Sequence, residues 1–220
     1  MTVPQLAKAL AAADEDWRAG TSERDISRTG RLAKIFQDGG WGYSVGLDSA
    51  GRVLDWCGIA VGAWLYRAGL RPEHRKSFFQ TTNVRGFFAY NTSLETRRRM
   101  VLQLDGRPIR DVHAAAGALR SWTETAELRA RPLAAWDVKP GDVLLIAHDG
   151  RTTSADHIAM VTAFDARSGR LETIEGNARG FDASGRDTRD AVVRKARDLS
   201  SVAVRNTIYG VGRLSRLDFA

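Results

Sequence analysis

Cysteine is nearly absent from this chain: Cys57 is the single one in 220 residues. That excludes an internal disulfide and any metal site built from several thiolates. A fold that works without disulfides can be made in a reducing cytoplasm. Long apolar runs are also missing. No stretch reaches the roughly 18 to 20 apolar residues that cross a bilayer, so no membrane anchor is expected. The first residues carry no basic segment followed by an apolar core of signal-peptide type. Leu6 to Ala13 is mostly alanine and leads into Asp14-Glu15-Asp16. The expectation is synthesis in the cytoplasm as a soluble protein without a classical signal peptide. There are no internal repeats and no low-complexity tracts. Helix-turn-helix, zinc-finger and aromatic RNA-binding patterns are absent too, so no nucleic-acid partner is expected. The net charge of +7 still suits a polyanionic partner such as an acidic cell envelope, or serves general solubility.

What is present is ordinary globular material, with 43% apolar residues and length enough for one large domain or two small ones. Residues 1–39 read as an N-terminal helical segment: one amphipathic helix with Leu6, Leu10 and Trp17, and a short one over Leu32, Ile35 and Phe36. Gly39 to Gly51 is a glycine-rich loop carrying Trp41 and Tyr43. Asp48 and Asp55 lack the close spacing of a calcium site, and no metal or cofactor is called for. From 71 to 131 the pattern predicts a helical insertion. Capping-box spacing at Thr92-Ser93-Leu94-Glu95 starts a helix through Leu104, a small-residue helix covers Asp111 to Arg120, and a second capping box at Ser121-Trp122-Thr123-Glu124 starts a helix to Arg129. After Trp136 the period turns extended. Strands are predicted at Val143–Ala147, His157–Phe164, Leu171–Glu175, Ser201–Val204 and Thr207–Leu214, with a basic, turn-rich segment before the last two. Helices first and an antiparallel sheet after them define an α+β fold.

Cys57 opens an apolar run that lasts to Gly69. Asp55 is a fitting N-cap and Gly69 a fitting stop, so the cysteine falls in the first turn of a buried helix. Free N–H groups and the positive end of the helix dipole there favour a thiolate. Such a residue is either a nucleophile or a small buried hydrophobe. The rest of the chain supplies what a nucleophile needs. His157 opens a strand after a polar loop, and Glu175-Gly176-Asn177 closes the next strand of a meander. Antiparallel pairing brings the start of one near the end of the other. His157 is then the base for Cys57, Glu175 orients the imidazole, and Asn177 shares that task or supports the site from behind. His74, His113 and His148 read as surface or satisfied core residues.

These motifs resemble the CHAP family, the cysteine, histidine-dependent amidohydrolase/peptidases of the papain-like superfamily. The carrying residues are Trp56-Cys57 leading an apolar helix to Ala68-Gly69, Lys139-Pro140-Gly141-Asp142-Val143 before a strand, Asp156-His157-Ile158-Ala159-Met160-Val161, and Ile174-Glu175-Gly176-Asn177. Tyr209-Gly210 to Arg213 is similar to the family's closing strand. The resemblance spans roughly Gly40 to Leu214, so residues 40–220 form the catalytic domain with an insertion at about 71–131. Two departures stand out: Gly58, where the family often has a larger residue, and the length of the insertion. The resemblance implies a papain-like fold, catalytic Cys57, His157 and Glu175 with Asn177 assisting, and hydrolysis of an amide bond in bacterial peptidoglycan. The cut falls either between glycan and peptide or within the peptide. A phage lysin or a secreted antibacterial effector fits this, acting at the cell wall. The alternatives are a thiol amidase, deamidase or acyltransferase on a non-wall substrate, and a non-catalytic basic binding module.

Overall fold

The computed structural model describes residues 4–24, 26–42, 44–90, 120–149, 154–215 and 218–220. The helix expected at 92–104 and that expected over Asp111 to Arg120, except for Arg120 itself, which is not helical, lie outside the described residues, as do Tyr43, His113 and the Arg97-Arg98-Arg99 cluster.

The α+β class is observed. Helices α1 (Pro4–Arg18), α2 (Arg31–Asp38) and α3 (Cys57–Arg67) come first, then a 3-10 helix (Pro72–Phe78) and α4 (Thr81–Tyr90). Strand β1 (Ser121–Glu124), the short α5 (Thr125–Arg129), β2 (Val143–Ile146), β3 (His157–Asp165), β4 (Arg170–Phe181), β5 (Asp187–Asp198), α6 (Val202–Asn206) and β6 (Ile208–Arg213) follow. Among the described residues the strands form a six-stranded sheet in the order β1-β6-β2-β3-β4-β5, and every neighbouring pair is antiparallel.

The central strands are apolar on both faces, which is why Val143–Ala147 reads as an unbroken hydrophobic run. Val143, Leu145, Ile158, Met160 and Ile174 pack in one core with α1, α2 and α3. Leu144, Ile146, Ala159, Val161 and Leu171 alternate to the other face, under Leu128, Trp136 and Leu199. Leu6, Ala9 and Ala13 of α1 and Leu32, Ile35 and Phe36 of α2 join the core of α3, so the expected N-terminal segment shares its interior with the rest.

Helix α3 is the centre of that core, with Cys57 to Leu65 buried without interruption. Its C-terminus closes as a Schellman motif: Gly69, at φ 100°, donates to the Tyr66 carbonyl, and Leu70 donates to the Leu65 carbonyl. The expected stop is therefore where the sequence puts it. The start differs. The N-cap is Trp56 and makes no side-chain capping bond, while Asp55 lies one residue outside the helix.

Three further expectations are corrected. Ser121–Glu124 is strand β1 rather than a helix start. Tertiary packing overrides the capping-box pattern here: Trp122 stacks on Phe88, and Gly210 and Gly212 of β6 leave the space both rings fill. Ser201–Val204 is no strand, since Val202 begins the single-turn helix α6. The basic segment after Asn177 is not a run of turns. Strand β4 continues through Asn177 to Phe181, and β5 returns beside it over twelve residues. Asn177, at φ 52°, marks the bulge that lets β4 pass this point. The Pro-Gly-Asp turn is held from behind by Asp142, whose buried carboxylate takes Nε and Nη2 of Arg213 at 2.8 Å each.

Candidate active site

Cys57 is the first residue of α3, where backbone N–H groups point out of the helix end. It is 8% exposed and opens into a cleft of about 670 Å³. Trp41 and Leu54 from the loop before α3 form one wall, Phe79 to Asn83 at the head of α4 form another, and Ser154 to Asp156 border His157. The rings of Trp41 and Phe79 approach to 5.3 Å across the cleft.

His157 starts β3. Its side chain interacts with that of Cys57, and its Nε2 meets Glu175 Oε2 at 2.9 Å. With Nε2 committed to the carboxylate, Nδ1 is the ring nitrogen left to face the thiol. Burial by itself disfavours a charged imidazole. The hydrogen bonds to Cys57 and Glu175 and their negative charge outweigh it and raise the His157 pKa from 6.5 to about 9.

Glu175 has no solvent exposure. Burial would lift its pKa, but the bond to His157 and the charges of Arg197 and Lys195 hold its carboxyl well below the usual range. Arg197 Nη1 lies 2.6 Å from Oε1, Lys195 Nζ lies 3.1 Å from Oε2, and the Thr173 hydroxyl donates to Oε1 at 2.5 Å. The carboxylate is a fully satisfied buried anion, which is the condition for such a group to be stable.

The structure thus brings Cys57, His157 and Glu175 together. It does not bring Asn177 to the imidazole. Asn177 Nδ2 donates instead to Asp55 Oδ1 at 3.3 Å. Glu175 already occupies Nε2, so the orienting role proposed for Asn177 is replaced by one of tying β4 to the residues just ahead of Cys57. Asp48, the other acid of the expected loop, is used locally: its Oδ1 accepts from the N–H groups of Ala50 and Arg52.

Glycine at two positions sets the close approach of these elements. A Cβ on Gly176 would stand 2.6 Å from Ala60 Cβ and 2.9 Å from the Trp56 ring, so the Glu-Gly-Asn strand can lie directly on the Trp-Cys helix only with glycine there. A Cβ on Gly58 would sit 1.8 Å from the Phe78 carbonyl oxygen and 2.6 Å from Ile158 Cδ1. Glycine at 58 thus leaves room for the 3-10 helix that crosses against α3 at this point. Beneath the cysteine, the buried Trp56 donates its indole N–H to Glu23 Oε1 at 3.0 Å. The segment around Glu23 is itself pinned to β5 by backbone bonds from Glu23 to Asp190 and from Val192 to Thr21.

Sequence reasoning passed over Lys195, Arg197 and Thr173. The signal was there: Val193, Lys195 and Arg197 recur at period two, and a strand through them would have put both cations on one face. It also set His148 aside. That ring lies 5.4 Å from the His157 ring, centroid to centroid, and its Nδ1 is 2.8 Å from Asp156 Oδ1.

Among the described residues, no helix is long and apolar enough to cross a membrane. Comparison with protein-family models, curated proteins and solved structures gives no match. The class defined here therefore rests on the fold and the constellation alone: an α+β protein with a cysteine at a helix start, a histidine at a strand start, and a buried glutamate behind it.

Proposed function

We propose that this protein is a thiol hydrolase of the CHAP type, with a papain-like arrangement of helix and sheet, that cleaves an amide bond of bacterial peptidoglycan. The observation that carries the chemistry is one constellation. Cys57 interacts with His157 at the foot of a cleft, and the far side of the imidazole is fixed by the buried Glu175.

The reaction runs through these groups. His157 holds on Nδ1 the proton drawn from Cys57, and the thiolate Sγ attacks the carbonyl carbon. The carbonyl oxygen becomes an oxyanion beside the start of α3, where the Cys57 N–H and the helix dipole stabilise it. The C–N bond breaks as His157 returns its proton to the amine, leaving a thioester on Cys57. A water then gives its proton to His157 and attacks the thioester. Collapse expels the Cys57 thiolate and frees the carboxylic acid, and the proton stays on His157 for the next cycle. Throughout, Glu175 accepts the Nε2–H and keeps the ring in one tautomer and orientation.

The wall as substrate is supported by the motif resemblance and by the +7 charge, which would hold the enzyme on anionic wall polymers. This suits a phage lysin or a secreted antibacterial effector acting at the cell wall. The test is digestion of purified peptidoglycan with mass analysis of the fragments. The expected result is a new free amine and carboxyl at one bond type, lost in both Cys57→Ala and His157→Ala. Full activity in Cys57→Ala overturns the mechanism. Intact peptidoglycan alongside a reactive Cys57 moves the same chemistry to a non-wall amide.

A further inference from the structure

Strand β5 runs beside β4 with Val193 opposite Glu175, Lys195 opposite Thr173, and Arg197 opposite Leu171. Alternation along β5 therefore sends Lys195 and Arg197 to the face that carries Glu175. Arg197, 11% exposed, reaches Glu175 Oε1 with Nη1 and also donates to the Thr173 hydroxyl at 2.6 Å. Thr173 in turn donates to the same carboxylate oxygen. Lys195, 25% exposed, approaches Oε2, the oxygen that also takes His157 Nε2. Each carboxylate oxygen thus has a cation beside it. Neither cation is described in contact with Cys57 or lining the cleft, so both act through Glu175.

We propose that Arg197 and Lys195 are positioning residues of the active site: from β5 they keep the Glu175 carboxylate ionised and aimed at His157 Nε2, so that the imidazole holds its Nδ1 side toward Cys57 across the acid half of the working pH range. This rests on the thiol-hydrolase reading of Cys57 and His157. The physical reason is the location of Glu175. A carboxylate without solvent contact takes up a proton readily, and a protonated Glu175 can no longer accept strongly from the imidazolium. A pair of cations on the strand behind prevents this. The other charged and titratable groups around the pair are Cys57 from α3, and His148 and Asp156 from the segment ahead of β3. Those groups stay in place when β5 is changed.

A purely structural role for the two cations predicts something different. Losing a buried ion pair lowers stability at every pH where the protein is folded, but leaves the pH profile of the site unaltered in folded molecules. The readout is the rate of Cys57 alkylation by iodoacetamide. Because Cys57 is the sole cysteine, the modified mass reports this site alone and needs no substrate. The full chain is compared with Arg197→Gln, Lys195→Met, Arg197→Lys and His157→Ala from pH 5 to 9, with circular dichroism confirming the fold of each.

In Arg197→Gln the rate relative to wild type is expected to fall about tenfold at pH 5.5 and by less than about threefold at pH 8.5, because without Arg197 the buried carboxyl takes up a proton on the acid side in most molecules. Lys195→Met shifts the same way by a smaller factor, and its partly exposed position makes it the variant expected to fold if Arg197→Gln does not. Arg197→Lys restores much of the acid-side rate. A pH-independent loss in folded Arg197→Gln and Lys195→Met, or no loss, overturns the proposal while leaving the thiol site standing. If His157→Ala alkylates at the wild-type rate at every pH, the thiol-hydrolase reading itself fails.

Discussion

The charge state of His157 gives the most direct quantitative check. The group is 6% exposed, and the folded protein moves its pKa from 6.5 to about 9. At about 1.4 kcal/mol per unit, the folded state holds this proton more tightly than the unfolded chain by about 3 kcal/mol. The sign follows from the direction of the shift. Below about pH 6.5 both states carry the proton, and the full stabilisation is present. Between about 6.5 and 9 the unfolded chain has released its proton while the folded protein keeps it, so the contribution shrinks. Above about 9 it is gone. Histidine-labelled protein followed by NMR should show one imidazole titrating near pH 9, absent in His157→Gln. Urea denaturation of wild type and His157→Gln from pH 6 to 10 should show their stability difference declining by up to about 3 kcal/mol, with groups distant from His157 cancelling in the comparison. On the proposed mechanism the protonated imidazole would deliver the proton to the leaving amine, so any amide hydrolysis should fall off above about pH 9. An imidazole titrating near its ordinary value, or a stability difference flat across that range, would refute the placement of His157 between Cys57 and Glu175.

Other outcomes follow from particular contacts. Gly58→Ala puts a methyl 1.8 Å from the Phe78 carbonyl oxygen, and should cost about 2 to 3 kcal/mol or more in urea denaturation because backbone on both sides must move. Gly176→Ala meets Ala60 and the Trp56 ring, and should slow Cys57 alkylation by separating β4 from α3, an effect that Asn177→Ala should produce only weakly. Trp41, 45% exposed at the cleft wall, should raise KM with little change in kcat when replaced by alanine. Turnover of whole walls should drop with rising salt while that of a short uncharged amide substrate does not, since only the former depends on the +7 charge.

Much of the site was legible because it depends on local pattern. The apolar run after Cys57 and the glycine at its end define a buried helix, and the structure closes it with the motif that Gly69 permits. The apolar strands around His157 and Glu175 are joined by a short hairpin, so register follows from the turn, and the two side chains meet as expected. The helix start was legible to within a residue, but not the use of Asp55. Whether a side chain caps the helix or binds Asn177 depends on where β4 lies.

What the sequence determined by itself was the set of elements whose periodicity is strong, the place of Cys57 at a helix start, and the pairing of His157 with Glu175. The tertiary structure decided the rest. Ser121–Glu124 became a strand because Trp122 finds a ring to stack on and glycines opposite it. Residues 187–198 became β5 because β4 offers a long edge, although their polar, arginine-rich composition resembles a loop. That strand brings two cations to the buried Glu175 carboxylate. Local sequence can encode which residues favour a helix or a strand. It cannot encode which distant side chain will neutralise a buried charge, since that is settled only when the strands come together.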